Sequence, residues 1–401
     1  MNIRKWMQVA LILLAGVVAA AQIGKAAIAI PLLRQDFDLD LVAASWFLGA
    51  FAVLGAIGGI VAGYVASSFP MQRVIVAGLI FIAIGNCVGA VSPDAGTLLA
   101  SRVFEGLGFL AIVVSAPALL RNIAPEAYLP IIISCWSAYI PVGTALMMLI
   151  GPFIMQGGWR VLWLTNAALA GLLALSLVLV QAEKRKNQPV AISLSLVDVL
   201  QVLRSRERLL LALAFFLYSV QYFALATFLP IFLISRLDLS LQQAGTISAL
   251  ALAANAVGNI SAGLFLKIGI PLWRLMITVF AAIGLLGFGI FSSYSPVAVS
   301  AICAGLCLGI AALLPASILA AMPRLADTSQ KLTLSVGLIQ QASALGQVVG
   351  PVILAFWIQR SGWNGVQWMF LIVAVLGLFV AVMTRSAFEK SGTSALRKMR
   401  Y

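Results

Sequence analysis

Lys25, Arg102 and Glu105 are ionisable side chains set well inside long apolar runs, where a charge is costly and is therefore a functional candidate. Arg102 and Glu105 stand three residues apart, as do Gln22 and Lys25, so on helices each pair shares one face. At the helical rise per residue, Lys25 and Glu105 fall roughly 10 Å, and Arg102 roughly 6 Å, from the same side of an apolar layer. They are placed to meet. Two cations and one carboxylate leave a net positive cluster suited to an anionic solute, in which Glu105 holds Arg102 or Lys25 in place and can exchange a proton. The competing reading is a buried ion pair that only fixes helix packing. Other chemistry is excluded by composition. Histidine is absent, which removes imidazole relays, His–metal sites and Ser–His or Cys–His triads. Cys87, Cys135, Cys303 and Cys307 lie in apolar runs and read as packing residues, not as a disulfide framework or a metal cluster. No nucleophile–base pair or phosphate-cradling loop can be assembled, so no catalytic residues, no metal and no cofactor are expected.

The elements that must position these residues follow from composition. The 401 residues are 63% hydrophobic and 9% charged, against about 25% charged in globular chains, so the chain belongs in a lipid bilayer. A spanning helix needs about 20 apolar residues. The sequence divides into twelve such runs, at 7–33, 42–66, 71–92, 96–120, 129–155, 160–181, 208–234, 241–266, 273–293, 296–321, 332–358 and 364–384. Arg4, Lys5 and Ala19-Ala20-Ala21 imitate a cleaved secretory signal, but the run continues to Leu33 and is repeated later in the chain, so it is read as a span.

Placing the N-terminus in the cytoplasm puts 19 of the 25 Lys and Arg inside, and leaves only Arg34, Arg160, Arg236 and Arg360 outside. That bias orients both termini to the cytoplasm. The net charge of +13 then belongs to the inner loops, and no nucleic-acid partner is needed to account for it. Residues 182–207 start basic and continue with Ile192, Leu194, Leu196, Val199, Leu200 and Leu203 among polar residues, an amphipathic stretch for the inner membrane surface. This linker separates an N-terminal six-helix bundle, 1–181, from a C-terminal one with a basic tail, 208–401. The expected fold is an all-α membrane protein of twelve transmembrane helices in two pseudo-symmetric six-helix bundles.

The two halves are copies at an offset near 200 residues. Gln22, Pro31 and Asp38-Leu39-Asp40 are answered by Gln221, Pro230 and Asp238-Leu239-Ser240. Gly55, Gly59 and Gly63 are answered by Asn255, Asn259 and Gly263; Pro117 and Pro125 by Pro315 and Pro323; and Gly151-Pro152 before Trp159 by Gly350-Pro351 before Trp363. Parallel repeats of this kind are a secondary-transporter layout with the solute near the midplane, and the small residues allow close, movable packing. Lys25, Arg102 and Glu105 correspond to Ala224, Ala301 and Ala304, so the architecture itself does not require the charges. In the second half, Tyr218, Gln221, Tyr222, Gln340, Gln341 and Ser343 can form a polar wall for a solute. Asn255 and Asn259 are read as joining helices at the interface between the bundles, and Trp136 and Tyr139 as either lining or packing.

The segment Arg102-Val103-Phe104-Glu105-Gly106-Leu107-Gly108 is similar to the fourth-helix pattern of the major facilitator superfamily, an Arg followed by Gly-x-Gly, and the likeness runs from residue 7 to about 385. The resemblance implies a monomeric secondary active transporter of the cell's inner or plasma membrane that moves a small solute by alternating access. It also implies that the first, fourth, seventh and tenth helices line the cavity. Gly63 stands where the family's gating motif begins, but Ser67 and Pro70 replace its usual Asp and Gly and leave Arg73 as the basic remnant. Gly337, Gly346 and Gly350-Pro351 in the eleventh run resemble a glycine motif that exporters carry on the fifth helix, of which the fifth run here keeps Gly151-Pro152. Lys25 with Trp159, Arg160 and Trp163 gives a vaguer likeness to cyanate-permease-like carriers of small anions. The leading expectation is a small-anion carrier, proton-coupled through Glu105. The alternatives are an efflux pump for toxic compounds, suggested by the eleventh-run glycines, and a non-transporting membrane sensor or scaffold.

Overall fold

The computed structural model describes residues 3–67, 69–125, 128–180, 196–325 and 329–390, and these are helical apart from short connections. The helices are α1 (Ile3–Phe37), α2 (Leu41–Ala50), α3 (Val53–Ser67), α4 (Met71–Ala90), α5 (Ala95–Ile123), α6 (Leu129–Ser137), α7 (Tyr139–Ile154) and α8 (Trp159–Leu179). After the linker come α9 (Leu196–Arg204), α10 (Arg206–Leu237), α11 (Leu241–Lys267), α12 (Leu272–Phe291), α13 (Val297–Ala311), α14 (Leu313–Leu325) and α15 (Ser329–Lys390). Among the described residues nine segments are long and apolar enough to cross a membrane, and the bent pair α2–α3 makes a tenth. Gly362, at φ +66°, breaks the 62-residue α15 into two arms, and the 27-residue α11 completes a set of twelve.

The apolar runs located these helices to within a few residues, but three runs read as continuous are broken, at Phe51–Ala52, Ala138 and Ala312. Two of the breaks have a cause in the sequence. Pro141 and Pro315 each stand three residues after the break, where a proline lacks an N–H and its ring collides with the carbonyl four residues back, at Ser137 and Ala311. Within the linker, Leu196–Arg204 is a helix and Arg206 already begins α10; 182–195 lies outside the described residues.

The repeat is visible in unusual backbone. α1 and α10 both end at an aspartate in left-handed conformation, Asp38 at φ +47° and Asp238 at φ +52°. Gly158 and Gly362, at φ +95° and +66°, each precede a tryptophan. The Trp159 indole donates to Asp36 Oδ2 at 2.6 Å and the Trp363 indole to Ser235 Oγ at 3.1 Å, so each tryptophan ties its helix to the end of the first helix in its own half.

Small residues set the packing. A Cβ on Gly24 or Gly143 would fall 2.5 or 2.3 Å from a carbonyl oxygen across the α1–α7 contact. In the second half Gly346 and Gly350 play that part between α15 and α10, with a Cβ on Gly350 only 2.4 Å from the Val220 carbonyl. Without a hydrophobic driving force between helices in lipid, such close approach is what holds them together. The halves meet along two seams. In one, Gly49, Gly55 and Gly59 of the α2–α3 pair pack on Val348, Ala344 and Gln341 of α15; in the other, Gly245 of α11 packs on Met148 and Pro152 of α7. Between the seams, α1 from Ala19 to Ile30 and α10 from Leu217 to Leu233 are buried at every position.

Candidate functional site

Four helices of the first half converge on the Lys25 ammonium. It donates to Glu105 Oε1 at 2.7 Å and to Asn86 Oδ1 at 2.6 Å, and lies 4.2 Å from the centre of the Trp163 ring. Its three N–H bonds thus have two oxygens and a π face to meet. Glu105 gives its other oxygen to the Arg102 guanidinium. Arg102 also donates from Nε to the Phe47 carbonyl at 3.1 Å and stacks on the Phe51 ring at 4.7 Å. Lys25, Arg102 and Glu105 are all buried, and their formal charges sum to one positive charge. A chain of amides supports it: Asn86 donates to Gln22 Oε1 at 3.0 Å, and Gln22 to Asn166 Oδ1 at 3.1 Å.

Glycines make the room. A Cβ on Gly85 would meet Glu105 Cγ at 2.8 Å, and one on Gly89 would meet the Trp163 ring at 2.5 Å. In the second half, helix register puts Gly287 and Phe370 at the places of Asn86 and Asn166. A Cβ on Gly287 would strike Phe370 at 2.7 Å, so an aromatic ring fills the corresponding volume.

The residues predicted to meet a solute do not all face one place. Gln22 and Lys25 point at α4 and α8, within the first half. Gln221, the counterpart of Gln22, donates to Cys307 Sγ at 3.3 Å, and its buried Oε1 has no partner. Tyr218 and Tyr222, one helical turn apart, stack at 5.6 Å, and the Tyr222 hydroxyl is buried without a hydrogen bond. Gln341 spends its amide on the Ala56 carbonyl at 2.9 Å, across the seam and just beyond the α2–α3 break. Gln340 is half-buried on α15, and Ser343 meets Ser219 at 3.2 Å. Asn255 and Asn259 do not join the two halves as expected: Asn255 donates to the Leu308 carbonyl, and Asn259 to Asn255, so both bonds stay inside the second half.

The glycines of the fourth-helix pattern have distinct contacts. A Cβ on Gly106 would lie 1.9 Å from the Phe51 carbonyl at the α2–α3 break, and one on Gly108 would lie 2.3 Å from the Gly78 carbonyl of α4. Gly151 packs on Ile28 and its neighbour Pro152 on Gly245. Gly63 lies in α3, Arg73 is exposed in the first turn of α4, and half-buried Gly337 and buried Pro351 lie in α15.

Two features escaped the sequence reading. Asn86 and Asn166 are neutral and so drew no attention, although a lone amide in an apolar run is itself a signal; Trp163 was named only for a likeness to small-anion carriers, not as a partner of Lys25. The second is an aromatic chain: from Phe51 to Phe109 at 5.0 Å, on to Tyr139 at 6.2 Å, and from Tyr139 to Trp136 at 4.7 Å. Phe109 stands at the middle of α5 and Tyr222 near the middle of α10.

An all-helical membrane fold with duplicated halves, close glycine seams and a buried charge cluster is that of a secondary transporter. The sequence model of the Major Facilitator Superfamily matches residues 12–329, and the chain belongs to that family. It is 25% identical over 373 residues, 89% of each chain, to a 3-(3-hydroxy-phenyl)propionate transporter of Escherichia coli (strain K12). A shorter match, 27% over 148 residues, covers 37% of this chain and 32% of a galactose-proton symporter of the same organism. The fold superposes on the crystal structure of a bacterial homolog of the human lysosomal transporter Spinster, inward-facing and occupied. The TM-score is 0.81, with 15% identity, over 100% of this chain and 99% of that one. Structures of this family imply the two-bundle architecture of twelve helices, and the chain is a multi-pass membrane transporter.

Proposed function

We propose that the protein carries a small organic anion bearing an aromatic ring across the inner membrane, with proton coupling through Glu105, both termini in the cytoplasm and the monomer as the working unit. The observation that carries this reading is the fully buried Lys25–Glu105–Arg102 cluster, whose net positive charge has Arg102 stacked on Phe51, the first ring of the aromatic chain. An anion entering between the bundles finds Arg102 at one end of that chain and the unpartnered Tyr222 hydroxyl on the other bundle. The aryl acid named for the relative above supports a ring-bearing solute. Protonating Glu105 removes the charge that holds both cations and raises the cluster from one to two net positive charges. In this way, a proton strengthens the attraction for an anion.

The glycines that suggested an exporter, Gly346 and Gly350, lie at the α10–α15 contact, and that contact is compatible with either direction of transport. The test is uptake into liposomes by wild type and Lys25→Gln, with folding in detergent checked in parallel. Lys25→Gln abolishes transport while the protein stays folded. Survival of transport for every accepted solute sinks the anion site, and thermal stabilisation by lipophilic cations but by no aryl carboxylate points to efflux instead.

A further inference from the structure

The bent α2–α3 span is held at its break by a group from α5 and, further along, by one from the second half. In a continuous helix the Phe51 N–H would meet the Phe47 carbonyl four residues back, but here it turns to the Gly49 carbonyl. The Phe47 carbonyl takes its hydrogen bond from Arg102 Nε instead, at 3.1 Å in the protein interior. The same guanidinium holds Glu105 through another nitrogen and lies over the Phe51 ring. Arg102 thus bridges the charge cluster and the gap in the helix, where the two arms meet at a bend of 49°.

Beyond the break the helical geometry lapses again at Gly58, with φ −127° and ψ 20°. Just before it, the Gln341 amide of α15 donates to the Ala56 carbonyl at 2.9 Å and to the Ile57 carbonyl at 3.3 Å. Both arms rest on α15. A Cβ on Gly49 of α2 would lie 3.0 Å from Val348, and one on Gly55 or Gly59 of α3 would lie 3.1 Å from Ala344 or 3.2 Å from Gln341. That contact follows the pair across its bend for about 15 Å, so the angle between the arms and the fit of the two halves change together.

A buried carbonyl needs a donor, and the Phe47 carbonyl has two to choose from. Arg102 Nε serves the bent form and the Phe51 N–H serves a continuous helix. An anion that draws the guanidinium away removes the first donor and leaves the second. Re-forming that bond closes the gap and straightens the pair, which lifts Gly55 and Gly59 off α15 and breaks the Gln341–Ala56 bond. We propose that the Phe47 carbonyl is a two-position switch, bonded to Arg102 when α2–α3 is bent against α15 and to Phe51 when the pair straightens and that seam parts. Through it the second half responds to an anion on Arg102 that it does not touch. The anion as trigger rests on the proposed solute site; the switch itself rests on the two donors and the seam.

The test reads the seam in the full chain in lipid nanodiscs. Spin labels replace the exposed Ile57 of α3 and Leu345 of α15, with Cys87, Cys135 and Cys303 changed to Ser, and their separation is measured without solute. Ile57 lies about 8 Å past the break, so undoing the 49° bend carries it about 6 Å. Arg102→Met removes the first donor and leaves Lys25 and Glu105 as a neutral pair, and the labels move apart by up to that distance. Lys25→Gln leaves the Arg102–Phe47 bond in place and keeps the wild-type separation. Should Arg102→Met not fold, Gln341→Leu, which removes the donor that favours the bent form from the other side, widens the same distance. An unchanged separation in whichever of these two folds overturns the switch, and so does equal widening in Lys25→Gln. Phenylacetate added to the wild type also moves the labels apart. If it has no effect while Arg102→Met still widens the seam, the solute site fails and the switch stands.

Discussion

At the scale of the residue, the cluster has an asymmetric response to mutation. Lys25→Gln leaves the neutral Arg102–Glu105 pair and an amide that can still bond Asn86, a loss of about 1–3 kcal/mol. Glu105→Gln strands two buried cations, a loss of about 3–5 kcal/mol. Denaturation midpoints of the two variants in detergent check the order, and equal midpoints would show that Glu105 is not the shared partner. On the other bundle, Tyr222→Phe deletes only a hydroxyl that has no protein partner. Its expected effect is a raised KM for ring-hydroxylated aryl acids and an unchanged KM for the parent acids; the same change for both solutes removes Tyr222 from the site. The charges were legible in the sequence because hydropathy isolates them. Their surroundings were not, since Gln22 and Gln221 look alike until packing gives one two amide neighbours and the other a cysteine.

At the scale of the element, glycines that look interchangeable in a hydrophobic run differ sharply in what they touch. Gly106→Ala places a methyl 1.9 Å from the Phe51 carbonyl, backbone against backbone, whereas a Cβ on Gly171 in α8 meets nothing within 4 Å. The first change lowers the folded yield and loosens α2–α3 from α5; the second is neutral or stabilises by up to about 1 kcal/mol. Comparing folded yield for the pair separates a contact effect from helix propensity.

The start of α2 is pH-sensitive in a defined direction. The Ala43 N–H and then the Gln359 amide hold the Asp40 carboxyl below its usual range. A depressed folded pKa contributes stability that is present above the unfolded value, about 3.9, and is lost as pH falls through the folded value. Wild type therefore melts above Asp40→Asn at neutral pH, and the difference closes in acid; a difference independent of pH would assign it to geometry instead. Apolar runs made the spans legible and prolines mark two of the three helix breaks, but the α2–α3 break carries no proline and lies where Gly106 lets the Phe51 carbonyl approach α5.

At the scale of the whole molecule, the two halves touch on the face opposite α9. The Gln359 amide of α15 meets Asp40 Oδ2 at 3.2 Å, and Gly49 and Gly245 press on Val348 and Met148 further in. Alternating access requires these seams to part. Cysteines at 40 and 359, in a chain whose exposed Cys87 and Cys135 are replaced, bring two thiols close enough for a short bifunctional thiol reagent. Linking them halts net transport and reductive release restores it, because the bridge holds one face closed while leaving the Lys25 cluster untouched. Continued transport by the fully linked protein would mean that this face does not open during the cycle. The duplication that predicts this rocking was readable from Pro31 with Pro230 and from Trp159 with Trp363. The side on which the halves meet was not, because glycines on α2 and α15 declare close packing without naming their partner. The seams belong to the duplicated part of the molecule, whereas the buried cluster of Lys25, Arg102 and Glu105 has no counterpart in the second half, where Ala224, Ala301 and Ala304 stand at the corresponding positions.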